Sequence, residues 1–151
     1  MSDTSEYRPI NPIKFTESFG IARTLAKQDK LEWNARFGFG FRQNLNRLVP
    51  SGNQTTNDGG LEFVTDFITP LAQDRITYSS KFTLFQAMFR SGTNLNNNWK
   101  SPDANWENIF TAGITKYLMV NLYTQLLYEK EVETGIQIKE TLALGLTFKV
   151  I

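Results

Sequence analysis

From Lys30 to Asn44 the chain alternates: Leu31, Trp33, Ala35, Phe37, Phe39 and Phe41 fall on one parity, and Lys30, Glu32, Asn34, Arg36, Gly38, Gly40 and Arg42 on the other. Successive side chains of an extended strand point to opposite faces, so this spacing sorts the segment into an apolar and a polar side. A helix would scatter both sets around its circumference. The segment therefore reads as an amphipathic strand.

The same period recurs. Ile13 to Ala26 sets Phe15, Phe19, Ile21 and Leu25 against Thr16, Ser18, Gly20, Ala22 and Thr24. Gly60 to Thr69 alternates Leu61, Phe63 and Phe67 with Glu62 and Asp66, with Val64 and Ile68 out of phase. Arg75 to Arg90 opposes Ile76, Tyr78, Phe82, Leu84 and Met88 to Thr77, Ser79, Lys81 and Thr83. Trp106 to Leu118, Val120 to Tyr128 and Ile136 to Val150 complete seven strands. The strand region is thus 13–151, and residues 1–12, which carry Pro9 and Pro12, read as a disordered or extended lead-in.

The links alternate in length. Lys27 to Asp29, Pro70 to Asp74 and Lys116 to Met119 are short, Leu45 to Gly59 and Ser91 to Asn105 are long and rich in Asn, Ser, Thr and Gly, and Lys130 to Thr134 is intermediate. Outer-membrane barrels carry short periplasmic turns and longer external loops. The expected fold is an all-β, antiparallel, up-and-down transmembrane β-barrel whose first strand runs inward from the outer side. Seven antiparallel strands close only through a parallel seam, and bacterial single-chain barrels have even counts. The expectation is therefore a part of a larger or multi-chain barrel, with the other strands upstream or on a partner chain.

The chain has no cysteine and no histidine, which removes disulfides, thiol chemistry, His-ligated zinc and His-based nucleophile systems. Its 16 Lys+Arg against 15 Asp+Glu give no general reason to bind nucleic acid. No apolar run reaches the roughly 18 residues of a spanning helix, and Met1 to Glu6 has neither the basic region nor the apolar core of a secretory signal. Glu129, Glu131 and Glu133 lack a hydrophobic wall to tune them as acid or base. Asn94 to Asp103 offers oxygen ligands without the spacing of a calcium loop. Gly38-Phe39-Gly40 lies within a strand and opens no helix, so it is no phosphate cradle. Neither catalysis nor a cofactor or metal is expected.

By alternation Glu32, Arg36, Arg42, Glu62, Asp66, Lys81, Glu107 and Lys139 project into the interior of such a barrel, where they line a lumen or fill it with paired groups. Gly20, Gly38, Gly40, Gly113 and Gly145 fall on the same, less apolar side, as a crowded interior requires. Trp33, Tyr78, Trp106, Tyr117 and Tyr128 lie towards strand ends, where interfacial girdles form. Glu17, Arg23, Lys116 and Glu140 interrupt the apolar side. A soluble β-sandwich or ligand-binding barrel is the alternative, with Phe37, Phe39, Leu84, Leu142 and Leu144 as its core. A subunit that completes a barrel with another chain is a third reading.

Asn105-Trp106-Glu107-Asn108, Ile114-Thr115-Lys116-Tyr117-Leu118, Val120-Asn121-Leu122 and Gln125-Leu126-Leu127-Tyr128 together resemble an uncharacterised family of Bacteroidota outer-membrane barrels, a domain of unknown function. The resemblance spans roughly Leu61 to Ile151. Lys139-Glu140-Thr141-Leu142-Ala143-Leu144-Gly145-Leu146-Thr147-Phe148-Lys149 is similar to that family's terminal strand, although Ile151 stands where such strands commonly end in an aromatic. The resemblance implies an outer-membrane location, contact with outer-membrane lipid, and recognition of the terminal strand by barrel-assembly machinery. It supplies no catalytic residues.

Overall fold

The computed structural model describes residues 13–46, 54–92, 100–130 and 133–146. Expectations for residues 1–12, for the middle of both long links, for Glu131 and for the end of the terminal strand lie outside them. Seven strands follow in chain order: β1 (Ile13–Gln28), β2 (Leu31–Asn46), β3 (Gln54–Leu71), β4 (Ile76–Ser91), β5 (Asp103–Gly113), β6 (Leu118–Tyr128) and β7 (Gln137–Leu146). They form one sheet in which each strand pairs antiparallel with its sequence neighbours, in the order β1 to β7.

Two elements, β3 and β5, begin three or more residues before their alternation predicts. β3 begins at Gln54, where the sequence reads as a link, because the polar pairs Arg42 with Asp58, Gln43 with Asn57 and Asn44 with Thr56 extend its ladder with β2. The Gln43 Nε2 donates to Asn57 Oδ1 at 3.0 Å. β5 likewise begins at Asp103, level with Phe85 of β4.

The polar side of the sheet is concave. Arg42 of β2 reaches Asp103 of β5, and Lys14 of β1 reaches Glu129, just beyond β6. Such contacts form only if the intervening strands curl towards each other. The side chains withdrawn from solvent accordingly include Phe85, Val64 and Glu62 of the concave face, at 2, 6 and 8% exposure. On the convex face Ile21, Phe19 and Leu144 are 82, 75 and 72% exposed.

Glycine permits the bend between β1 and β2. Gly20 and Gly38 are register partners, and a Cβ built on either would lie within 2.7 Å of the other's Cα. The register also steps along the sheet. One row runs from Ala22, well inside β1, through Arg36, Val64, Thr83, Asn105 and Leu127 to Gln137, the first residue of β7. A stagger of this kind accompanies strand tilt in barrels.

The expected barrel is not closed: β1 pairs only with β2, and β7 only with β6. In an alternating sheet of seven strands the first and last run in the same direction, so direct closure would require a parallel ladder. Among the described residues, no strand pairs with the outer edge of β1 or of β7.

Bulges keep the faces in phase where the sequence drifts. Gly60 pairs with Ala87 and Gly59 with Phe89, so Met88 is the extra residue. This shift places Phe89 on the convex face and Arg90 opposite Asp58 on the concave one. A second shift between Thr24 and Ala26 accommodates Leu25.

The β3–β4 turn holds Ala72, Gln73 and Asp74 at φ of 50°, 55° and 68°. Left-handed backbone costs an ordinary residue about 1 kcal/mol, part of which glycine returns through its floppier unfolded chain. Gln73→Gly is therefore expected to raise folding stability by about 0.5 kcal/mol in a denaturant titration. Gly20→Val should instead disrupt the β1–β2 ladder, seen as early amide exchange in both strands.

Candidate functional site

The concave face gathers every side chain assigned to an interior by alternation. Asp66, Lys81, Glu107 and Lys139 share one register row with Asn34 and Gln125. Arg36, Arg42, Glu62 and Glu32 occupy rows on either side of it. Acid and base thus alternate across strands, and cross-strand neighbours of opposite sign stabilise a sheet.

Hydrogen bonds tie this surface together. Arg36 Nη2 donates to Glu62 Oε1 at 2.6 Å. Asn34 Nδ2 donates to Glu32 Oε1 at 2.6 Å, and Thr24 Oγ1 donates to Asn34 Oδ1 at 2.7 Å. Across β5 and β6, Gln125 Nε2 donates to Asn105 Oδ1 and Asn105 Nδ2 to Glu107 Oε1, at 2.8 and 2.6 Å. The Lys139 ammonium lies 5.9 Å from the Tyr123 ring centre.

Towards the long-link end the face deepens into a recess of about 330 Å³ bordered by Lys14, Arg42, Asp58, Arg90, Asp103 and Glu129. Arg42 is its organising residue. Its guanidinium lies 3.5 Å from the Phe85 ring centre and donates through Nη1 to Asp103 Oδ2 at 2.6 Å. The cation therefore meets a π face and a carboxylate together. Phe85 in turn packs against Gly40, where a Cβ would lie 3.0 Å from the ring. Arg90 and Asp58 pair at 3.3 Å, and Lys14 and Glu129 at 3.6 Å.

Sequence alternation did not single out Lys14, Asp58, Phe85, Arg90, Asp103 or Glu129 as parts of one site. Asp58 lies in a stretch read as a link. Asp103 lies in the oxygen-rich stretch weighed for calcium, and its carboxylate is held by Arg42 instead. Phe85 and Val64 had a visible signal, since each places an apolar side chain at the parity of its strand's polar residues.

The convex face carries an aromatic ladder across β2 to β5. Trp33 meets Phe67 edge-on at 6.3 Å, Phe67 meets Tyr78 at 6.1 Å, and Tyr78 stacks on Phe110 at 4.7 Å. The polar handles of these rings are used within the sheet. Trp33 Nε1 donates to Thr65 Oγ1, Tyr78 Oη to Asn108 Oδ1 and Trp106 Nε1 to Ser80 Oγ, all within 2.9 Å. Trp33 and Tyr78 stand near the short turns, Tyr117 lies in the β5–β6 turn beneath the Lys116 ammonium, and Tyr128 ends β6 at the long-link side.

Register assigns the convex charges to the two outermost strands: Glu17 and Arg23 lie on β1 and Glu140 on β7. Among the described residues of β2 to β6, no charged side chain shares that face. Lys116 belongs to the β5–β6 turn rather than to a strand. Neither a protein family, nor a curated protein, nor a solved structure matches the chain.

Truncating Phe85 to Ala is expected to cost about 3 kcal/mol of folding stability, because it empties a fully enclosed site under Arg42. Phe19→Ala removes an equal ring from an exposed site and should cost less than about 1 kcal/mol. Paired denaturant titrations separate the two, and equal losses would contradict the assignment of inner and outer faces.

Proposed function

We propose that the chain forms wall strands of a non-catalytic transmembrane β-barrel in a bacterial outer membrane, with the convex side towards lipid and the concave side towards the interior. The observation that carries this reading is the contrast between the two faces: Phe19, Ile21, Leu142 and Leu144 of the convex side are 70 to 82% exposed, while Phe85, Val64 and Glu62 of the concave side are 2 to 8% exposed and Arg42 and Asp103 pair there with side chains 29 and 21% exposed. Water offers no driving force for that arrangement, whereas hydrocarbon does. Of the five side chains that a soluble sandwich would bury, Phe37, Phe39, Leu142 and Leu144 are 50 to 72% exposed, while Leu84 is half-buried.

Element lengths agree. Strands of 10 to 18 residues meet or exceed the roughly 9–11 residues that a tilted strand needs to cross a bilayer. Within the sheet, hydroxyl and amide groups of Thr65, Ser80 and Asn108 already accept hydrogen bonds from the aromatic ladder, so they face hydrocarbon at reduced cost. The interior pairs, above all Arg42 with Asp103, favour a filled, structural lumen over a wide channel. The unpaired edges of β1 and β7 favour further strands, from the same polypeptide or a partner, to complete the wall. In this reading lipid is the principal partner, and the terminal strand is what barrel-assembly machinery would engage.

The absence of native cysteine makes a spin-label scan direct. Single cysteines at positions 36, 37, 39, 41 and 42 of the lipid-reconstituted protein are expected to give high oxygen collision rates at 37, 39 and 41 and low rates at 36 and 42. Folded protein that remains in the aqueous phase, or labels at 37 and 39 shielded from lipid-borne oxygen, would overturn the proposal. In planar bilayers Arg42→Ala should raise conductance relative to the unaltered chain, because it removes the side chain that crosses the interior.

A further inference from the structure

The convex face is interrupted near the long-link end of β1 to β4. Glu17, Phe41, Gly59 and Phe89 are successive register partners there, flanked by the Phe19 and Phe39 pair. Gly59 contributes no side chain, and the Phe89 ring lies over it. Phe89 reaches that face only because the Met88 bulge shifts the phase of β4. The result is a hollow of about 490 Å³ walled by Phe19, Phe39, Phe41 and Phe89. Phe19 and Phe39 stack with centres 5.7 Å apart and planes 26° apart.

One ionisable group borders the hollow, the exposed Glu17. Its carboxylate makes no ion pair with any described residue. We propose that this hollow binds a single-chain amphiphile with an ammonium head, the head on Glu17 and the chain between the phenylalanine walls. A carboxylate accepts hydrogen bonds and donates none, and aromatic faces attract cations, so a cation is favoured at this end and an anion repelled. Beyond Glu17 and Ser18 the lining is phenylalanine and glycine, which suits an alkyl chain. The proposal stands on the groove and not on the location of the sheet, so its failure would leave the bilayer placement untouched.

The test uses the full chain, folded in a non-ionic detergent, with dodecylammonium, dodecanol and dodecanoate as probes and retained adducts measured by native mass spectrometry. Dodecylammonium is expected to bind about tenfold more tightly than dodecanol, as one charge-assisted contact allows, and dodecanoate most weakly. Glu17→Gln should equalise the amine and the alcohol while leaving the fold unchanged by circular dichroism. Phe89→Ala, which removes one apolar wall, should weaken the binding of all three. Equal affinities in the unaltered chain, or an amine preference that survives Glu17→Gln, would overturn the proposal. A stable dimer with this face covered and no amine uptake would also overturn it, in favour of a second copy as occupant.

Discussion

Which side of the sheet bends inward governs the remaining architecture, and Arg42 acts directly on that choice. A guanidinium fixed between the Phe85 ring and the Asp103 carboxylate draws β2, β4 and β5 towards one another. The curvature is sterically possible because Gly20 and Gly38 meet without side chains and Gly40 leaves room for the Phe85 ring. Once the polar side is concave, its charges lie close enough to pair, and the aromatic side is left on the outside. Breaking a pair such as Arg36 with Glu62 would strand a carboxylate whose side chain is only 9% exposed, which is costlier than never placing it there.

Much of this was legible in the sequence because burial on one side of a strand writes a period of two. The inward placement of Glu32, Arg36, Arg42, Glu62, Asp66, Lys81, Glu107 and Lys139 follows from that period alone. The signal fades where both sides are polar: Gln54 to Asp58 continue β3 through backbone and amide pairing that needs no apolar residue. It also misleads where a bulge resets the phase, as at Met88, and where an apolar residue such as Phe85 faces inward to support a cation. The recess at the long-link end was hidden for a different reason. Its members come from strands far apart in sequence, and only the curl brings Lys14 to Glu129 or Arg42 to Asp103.

The distribution of convex charge adds information that alternation lacks. Glu17, Arg23 and Glu140 would be expensive on a strand flanked by apolar neighbours on both sides. They occur instead on the two strands that, among the described residues, each lack one neighbour. Charges at sheet edges discourage indiscriminate strand pairing while allowing a partner with matching groups. The edges therefore combine open hydrogen-bonding capacity with a chemical restriction on what can use it.

The wall is uneven in height. β1 to β4 have 16 to 18 residues and β5 to β7 have 10 or 11, while the turns at the opposite end remain short. The rim therefore has a parapet on one flank and a sill on the other. Among the described residues, Arg42, Asp58 and Arg90 stand on the parapet, above the level of Asp103 opposite Phe85 where β5 begins, so the recess leans against the taller flank.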